Sequence, residues 1–371
     1  MHRLVLVGGG HAHLGVLRAL EKHRLDIDIV LITPRLHQMY SGMLPGWMAG
    51  HYKLSDCQIE LSLLARAAGV RMIMSHVIGV NAEQRNVMLA DGVQVDYDYL
   101  SLDVGSESKL SGLQALGELL LPVRPIDAFI QRWPDILAQA VKQDDFQLAV
   151  VGGGAAGVEI AFAAQHVLAG CASSATVSLI ASEKGILGGH SPCVIKLARD
   201  LLIERGVKLY EAHGVGVEHG IMLGNGRFLH ADIVIAAMGS SSPSWLESSQ
   251  LALDENGYII VDATHRSISH ANVFAAGDVC ARTDTVMARS GVHAVFSGPV
   301  LAHNLISSVS GGKYIQYRPR KRSLYLLATG PQHAIASWGA FSAQGHWVWR
   351  WKNWIDRRFI HQNTRASVVK D

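Results

Sequence analysis

Cysteine is scarce. The 371-residue chain has only Cys57, Cys171, Cys193 and Cys280, and no two are spaced as C-x-x-C or C-x-x-x-x-C. That absence weakens both a zinc site and a redox-active dithiol close in sequence, and the four read as reduced thiols. Excess charge is lacking too: 33 Lys and Arg against 31 Asp and Glu leave a formal net charge of +2, too small to argue for nucleic acid. No apolar run approaches the roughly 18 residues of a membrane span, and the brief apolar start does not read as a signal peptide. The expectation is a cytoplasmic protein with no metal site.

Glycine, by contrast, is plentiful, with 37 in a chain that is 49% apolar. Such a balance suits buried parallel strands and tight turns. Leu4-Val5-Leu6-Val7 runs into Gly8-Gly9-Gly10, and Leu148-Ala149-Val150-Val151 runs into Gly152-Gly153-Gly154. A buried strand turning sharply into a helix aims backbone N–H groups and the positive helix end at a diphosphate, and a Cβ on the turn would block that approach. Gly152-x-Gly154-x-x-Gly157 is complete. In the first turn the third glycine is His13, so the helix starting near His11 stands further off or the imidazole has a purpose. With Val273-Phe274-Ala275-Ala276-Gly277-Asp278 further on, the pattern predicts two bound dinucleotides with electrons passing between them.

The chain reads as α/β, with two Rossmann-like dinucleotide-binding domains and a small C-terminal region. Strands are predicted at 2–7, 27–33, 177–180 and 207–210, with helices at 12–23, 126–141 and 194–205. Both units close on an apolar run into glycine, at Gly105 and at Gly239. The expected boundaries are 1–120 for the first domain, 121–262 for the second, 263–317 for the return to the first, and 318–371 for the C-terminal region.

This order of motifs resembles the pyridine nucleotide-disulfide oxidoreductase superfamily of two-domain flavoproteins, over essentially the whole chain. The resemblance implies FAD in the first unit and NAD(P)H in the inserted second. Gly8, Gly10, His11, His13, Thr33, Pro45, Gly105, Gly277, Asp278 and Gly291 would line the FAD site. Gly152, Gly154, Gly157 and Gly239 would hold the nicotinamide dinucleotide, Glu159 would lie near the nicotinamide, and Tyr40 would stand beside the isoalloxazine. Leu326 to Gly330, Ala334 to Gly339 and Trp351 to Phe359 are similar to type II NADH dehydrogenases. Tyr40-Ser41-Gly42-Met43-Leu44-Pro45-Gly46 with Ser101-Leu102-Asp103-Val104-Gly105-Ser106 resembles the oxidoreductase module fused to selenide, water dikinase more closely.

The departures from these patterns bear on the electron acceptor. Gly291-Val292 replaces the Ala-Gln pair of the quinone pocket, and Ala163 replaces a second helix glutamate. Arg289-Ser290-Gly291-Val292-His293 puts a guanidinium and an imidazole where the flavin edge is expected, suiting a small anionic acceptor or negative charge on the reduced ring. Neither unit ends its second strand on the carboxylate that usually binds ribose: Thr33 and Pro34, then Ala181 and Ser182, fall there. Weakly held flavin follows, and Lys184 leaves NADPH open beside NADH. Trp347, Trp351, Trp354 and Phe359 are expected on one helix face among arginines, suiting a membrane interface, a partner surface or dimer seam, or a cover over the first domain's core.

The leading expectation is an FAD-dependent NAD(P)H oxidoreductase passing hydride to flavin and then to a small acceptor, of selenium or sulfur type by the resemblance. The alternatives are a peripheral NADH:quinone oxidoreductase on the inner face of the cytoplasmic membrane and a redox-sensing flavin module with little turnover. The absent cysteine pair argues against sulfide:quinone chemistry.

Overall fold

Apolar, β-branched runs of four to six residues are long enough to cross a sheet and too uniformly apolar to leave either face in water. In the computed structural model, which describes residues 2–172, 174–287, 289, 291–320 and 322–364, these runs become the centres of two parallel sheets. The chain forms β1 (Arg3–Val7), β2 (Asp28–Thr33), β3 (Arg71–Met74) and β4 (Tyr99–Leu102). It continues through β5 (Leu120–Pro122), β6 (Gln147–Val151), β7 (Thr176–Ala181), β8 (Lys208–Glu211) and β9 (Ile233–Ala236), and returns at β10 (Val273–Ala275). One sheet runs β10-β4-β1-β2-β3 and the other β5-β9-β6-β7-β8. Val5 lies between Val30 and Leu100, and Val150 between Leu179 and Ile235.

Each sheet reverses its strand order beside the strand that runs into a glycine turn, β1 or β6, where a crevice opens at the carboxyl ends. Both glycine turns sit there, built alike. Gly8 has φ +90° and a Cβ on it would lie 2.4 Å from the Asp103 carbonyl oxygen; Gly152 has φ +138° and its Cβ would lie 2.2 Å from that of Ala237. No L side chain meets both demands. The turns lead into the helices His11–Lys22 and Ala155–Cys171. A third helix, Gly291–Ser310, packs on the first where a Cβ on Gly298 would approach the Ala12 carbonyl to 3.0 Å.

The link between units is a two-stranded crossing in which Glu107–Ser108 pairs antiparallel with Ser240–Ser241. Pairing and packing run across the expected boundaries at 120 and 262. Leu120 already belongs to the second sheet through its pairing with Val234, and Leu246, Leu251, Ile259 and Val261 pack in the first unit's core with Val5 and Leu100. The C-terminal region holds a three-stranded antiparallel sheet (Tyr325–Ala328, Ala334–Trp338, Phe341–Gly345) and the helix His346–Thr364. Among the described residues no helix is long and apolar enough to cross a membrane.

A Cβ on Gly157 would lie 1.9 Å from the Gly152 carbonyl oxygen, backbone that cannot yield without opening the turn. Gly157→Ala is expected to destabilise the protein by about 1–3 kcal/mol. Urea unfolding followed by far-UV circular dichroism checks this; an unchanged midpoint would show that the turn tolerates the shift.

Candidate active site

A cavity of about 780 Å³ lies between the two units and beneath the C-terminal helix. Tyr40, Gly42 and Pro45 form one wall, Gly152, Gly154 and Glu159 a second, and Lys352 and Asp356 the roof; Gly239, Arg289 and Gly291 also border it. A Cβ on Gly154 would meet nothing within 4 Å, so the open space begins at the turn itself. That is the cradle a dinucleotide needs, and the second fingerprint fits one.

Four polar side chains meet at this cavity. Lys352 donates to the Asp356 carboxylate at 2.7 Å and to the Gly42 carbonyl at 2.7 Å. Both members of the pair are buried, and Asp356 also accepts from the Tyr40 hydroxyl. Glu159 accepts the Ala328 amide at 2.7 Å. Burial pushes the Glu159 carboxyl up to about 7, although Lys352 and the Ala328 amide oppose this. Burial works against the Lys352 charge, but Asp356 and Glu159 outweigh it and hold the ammonium above its usual range. Tyr40 is raised by burial first and by Asp356 next, so it stays a phenol. Three sequence-distant segments thus deliver a carboxyl poised near neutral pH, a fixed cation and a phenol to one space.

The first unit's expected residues gather around its own turn. Gly8 and Gly10 stand over Asp103, and so does Gly277. Asp278 is bridged by Arg124 at 3.0 Å, and Arg124 also donates to Ser106 at 2.6 Å. His11 has a buried Nε2 without a partner, an unfilled valence beside the expected FAD site. Gly105 has φ +75° and open space before it. These features fit a dinucleotide here as well.

Other expected residues take different surroundings. The His13 ring is fully buried between the Gly8 carbonyl at 2.6 Å and the Ser101 hydroxyl at 2.8 Å, which leaves both ring nitrogens partnered within the protein. Thr33 is buried at the end of β2. His293 does not border the cavity; its Nδ1 faces the Tyr317 hydroxyl at 3.3 Å. Arg289 does border it, with its guanidinium 3.5 Å from the centre of the Tyr258 ring; Ser290 lies outside the described residues. Phe359 is not on the tryptophan face. Its ring centre is 4.5 Å from that of Tyr40 and 5.9 Å from that of His11, whereas Trp347 and Trp354 are more than half exposed.

Lys352, Asp356, Arg124 and Asp103 were not singled out by the sequence. A Lys-x-x-x-Asp pair in register with Val348 and Phe359 was the available signal, because residues four apart share a helix face.

A family model for pyridine nucleotide-disulphide oxidoreductases matches residues 2–304. The chain belongs to this family. It is therefore an oxidoreductase with FAD and a pyridine nucleotide as cofactors. Within the family it is 24% identical over 349 residues to ferroptosis suppressor protein 1 of Xenopus tropicalis, covering 90% of this chain and 87% of that protein. It is 23% identical over 286 residues to the NADH dehydrogenase-like protein YutJ of Bacillus subtilis, covering 75% and 76%. Among solved structures, NDH2 of Plasmodium falciparum in complex with NADH superposes with a TM-score of 0.83 at 15% identity, covering 98% of this chain and 97% of that one. The sulfide:quinone oxidoreductase of Aquifex aeolicus gives 0.81 at 16% identity, covering 100% and 93%. The two structural likenesses establish the fold.

Two outcomes test the electrostatics. Lys352→Met strands a buried carboxylate and is expected to cost about 3–5 kcal/mol, most of it recovered in Lys352→Met/Asp356→Leu; urea midpoints that do not separate the two variants would contradict the pairing. Because the Glu159 carboxyl is raised in the folded state, its contribution to stability is complete below its ordinary range and lost as pH rises through about 7. Glu159→Gln is expected to gain stability over the parent at pH 8 but not at pH 4, read from thermal midpoints at both.

Proposed function

We propose that the protein is an FAD-dependent NAD(P)H oxidoreductase whose acceptor is a small molecule reduced by two electrons with proton uptake. The observation that carries this reading is the meeting of Glu159, Lys352, Asp356 and Tyr40 in the cavity that the second glycine turn borders. The first turn, with Gly8, Gly10, Gly105 and Asp278, would hold FAD; Gly152, Gly154 and Gly239 would hold the nicotinamide dinucleotide. FAD, when bound, supplies the two-electron chemistry.

The chain's own groups orient the partners and manage protons. In the overall balance NAD(P)H, one proton and the oxidised acceptor become NAD(P)+ and the acceptor carrying two hydrogens. Glu159, near half-protonation at neutral pH, holds the proton that the balance requires. Lys352 is fixed by Asp356 and the Gly42 carbonyl, so its charge stabilises negative charge without having to reorganise. Tyr40, bonded to Asp356, keeps water from that wall. Among the described residues no cysteine borders the cavity, so a sulfur or selenium acceptor, the type suggested by resemblance to the dikinase-fused module, would be reduced without a protein thiol as relay.

A second reading, the peripheral NADH:quinone oxidoreductase, is favoured by the outer face of the C-terminal helix. There Trp347, Trp351 and Trp354 are 56%, 37% and 57% exposed among Arg350 and Arg358. Such a face suits an anionic membrane surface. Anionic vesicles separate the two: the quinone reading requires co-sedimentation that Trp347→Ser/Trp354→Ser abolishes.

The principal test is turnover. NADH or NADPH oxidation with a benzoquinone is expected to fall roughly 100-fold in Glu159→Gln, within the range for loss of one acid–base group, with the nucleotide KM little changed. Equal kcat in parent and variant would remove Glu159 from proton handling. A parent that binds flavin but turns over with no acceptor would favour the sensing module instead.

A further inference from the structure

The two units invite comparison with each other. After β4 the chain places Asp103 where the chain after β9 places Ala237: each has its N–H on the carbonyl of the facing strand's last residue, Val7 or Val151, at 2.9 Å, and each has its carbonyl beneath the first glycine of a turn. The fold is satisfied by alanine at this position, so the carboxylate of Asp103 answers some other need. A second departure touches it. His13, standing where the second unit has Gly157, donates its backbone N–H to Asp103 Oδ2 at 2.8 Å, and Ala12 donates its own as well.

Asp103 is 3% exposed and capped by the start of the first helix. A Cβ on Gly277 would lie 2.7 Å from its Oδ1, and the neighbouring Asp278 carboxylate repels it. Cys280 also faces it, and burial pushes that thiol up to about 12, while the His13 ring is turned to the Gly8 carbonyl and the Ser101 hydroxyl. Burial pushes the nearby His13 and His11 imidazoles down to about 4, so none of these three changes charge between pH 6 and 8.5. Arg124 is committed to Asp278. A diphosphate arriving at this turn therefore brings negative charge to two carboxylates and one guanidinium.

We propose that Asp103 takes up a proton as FAD binds, so that the diphosphate meets a neutral acid whose hydroxyl donates to it while its carbonyl oxygen keeps the His13 amide. The inference rests on FAD occupying the first unit. FAD retention is thereby linked to pH, tighter in acid and looser in base. Burial already pushes the Asp103 carboxyl up to about 7, which places the transition near neutrality.

The test is FAD binding to deflavinated protein, followed by quenching of flavin fluorescence from pH 6 to 8.5. The Kd is expected to rise roughly tenfold between pH 7 and 8.5, the slope of one linked proton. Titration calorimetry in two buffers of different ionisation enthalpy should show uptake of up to one proton per FAD at pH 8. Asp103→Asn, which fixes the neutral form, should bind with a pH-independent Kd, tighter than the parent at pH 8.5. A flat profile in the parent, or zero proton uptake should the variant not fold, overturns the proposal. So does an unchanged slope in the variant. Failure to bind FAD at any pH would instead overturn the assignment of FAD to the first unit.

Discussion

The buried Lys352–Asp356 pair is the interaction on which the arrangement of the site depends. An ammonium and a carboxylate taken out of water at one helix face are stable only with every valence answered. The answers come from elsewhere in the chain: the Gly42 carbonyl and the Tyr40 hydroxyl from the first unit, and the field of Glu159 from the second. Satisfying that one pair fixes the C-terminal helix over the cavity and brings Tyr40 and Glu159 into the same space. Removing either charge would affect the shape of the site as well as its electrostatics.

The two glycine turns work at a different scale. Each is a contact of backbone on backbone at the carboxyl end of a parallel sheet. Similar turns carry unlike surroundings. The second opens directly on the cavity at Gly154, whereas the first is backed by an acid, Asp103, and an imidazole, His13, that its counterpart lacks. The frame is shared, and the differences mark where the two sites are distinct.

The turns and the strands before them were legible in the sequence, because a diphosphate cradle demands residues without Cβ at fixed positions after an apolar run. Glu159, Tyr40 and Pro45 were reached only through the family resemblance, and all three border the cavity. Lys352 and Asp356 were not singled out. The aromatics of the last helix drew the apolar stripe toward Trp347, Trp351 and Trp354, yet the helix presents those tryptophans to solvent and buries the charged pair with Val348. Periodicity finds a face but not its direction when large aromatics and paired charges compete for the interior. Arg124 and Asp103 were hidden differently, since the charge that Arg124 pairs with, Asp278, and the amide that Asp103 accepts, that of His13, both lie far away in the chain.

The central claim is that electrons enter from a nicotinamide held at the second turn and pass to FAD held at the first. Anaerobic stopped-flow mixing of the FAD-loaded protein with NADH, and separately with NADPH, tests it most directly. The account predicts rapid bleaching of the visible flavin band by at least one nucleotide with no acceptor present. Persistence of the oxidised flavin spectrum with both nucleotides at saturating concentration would contradict it.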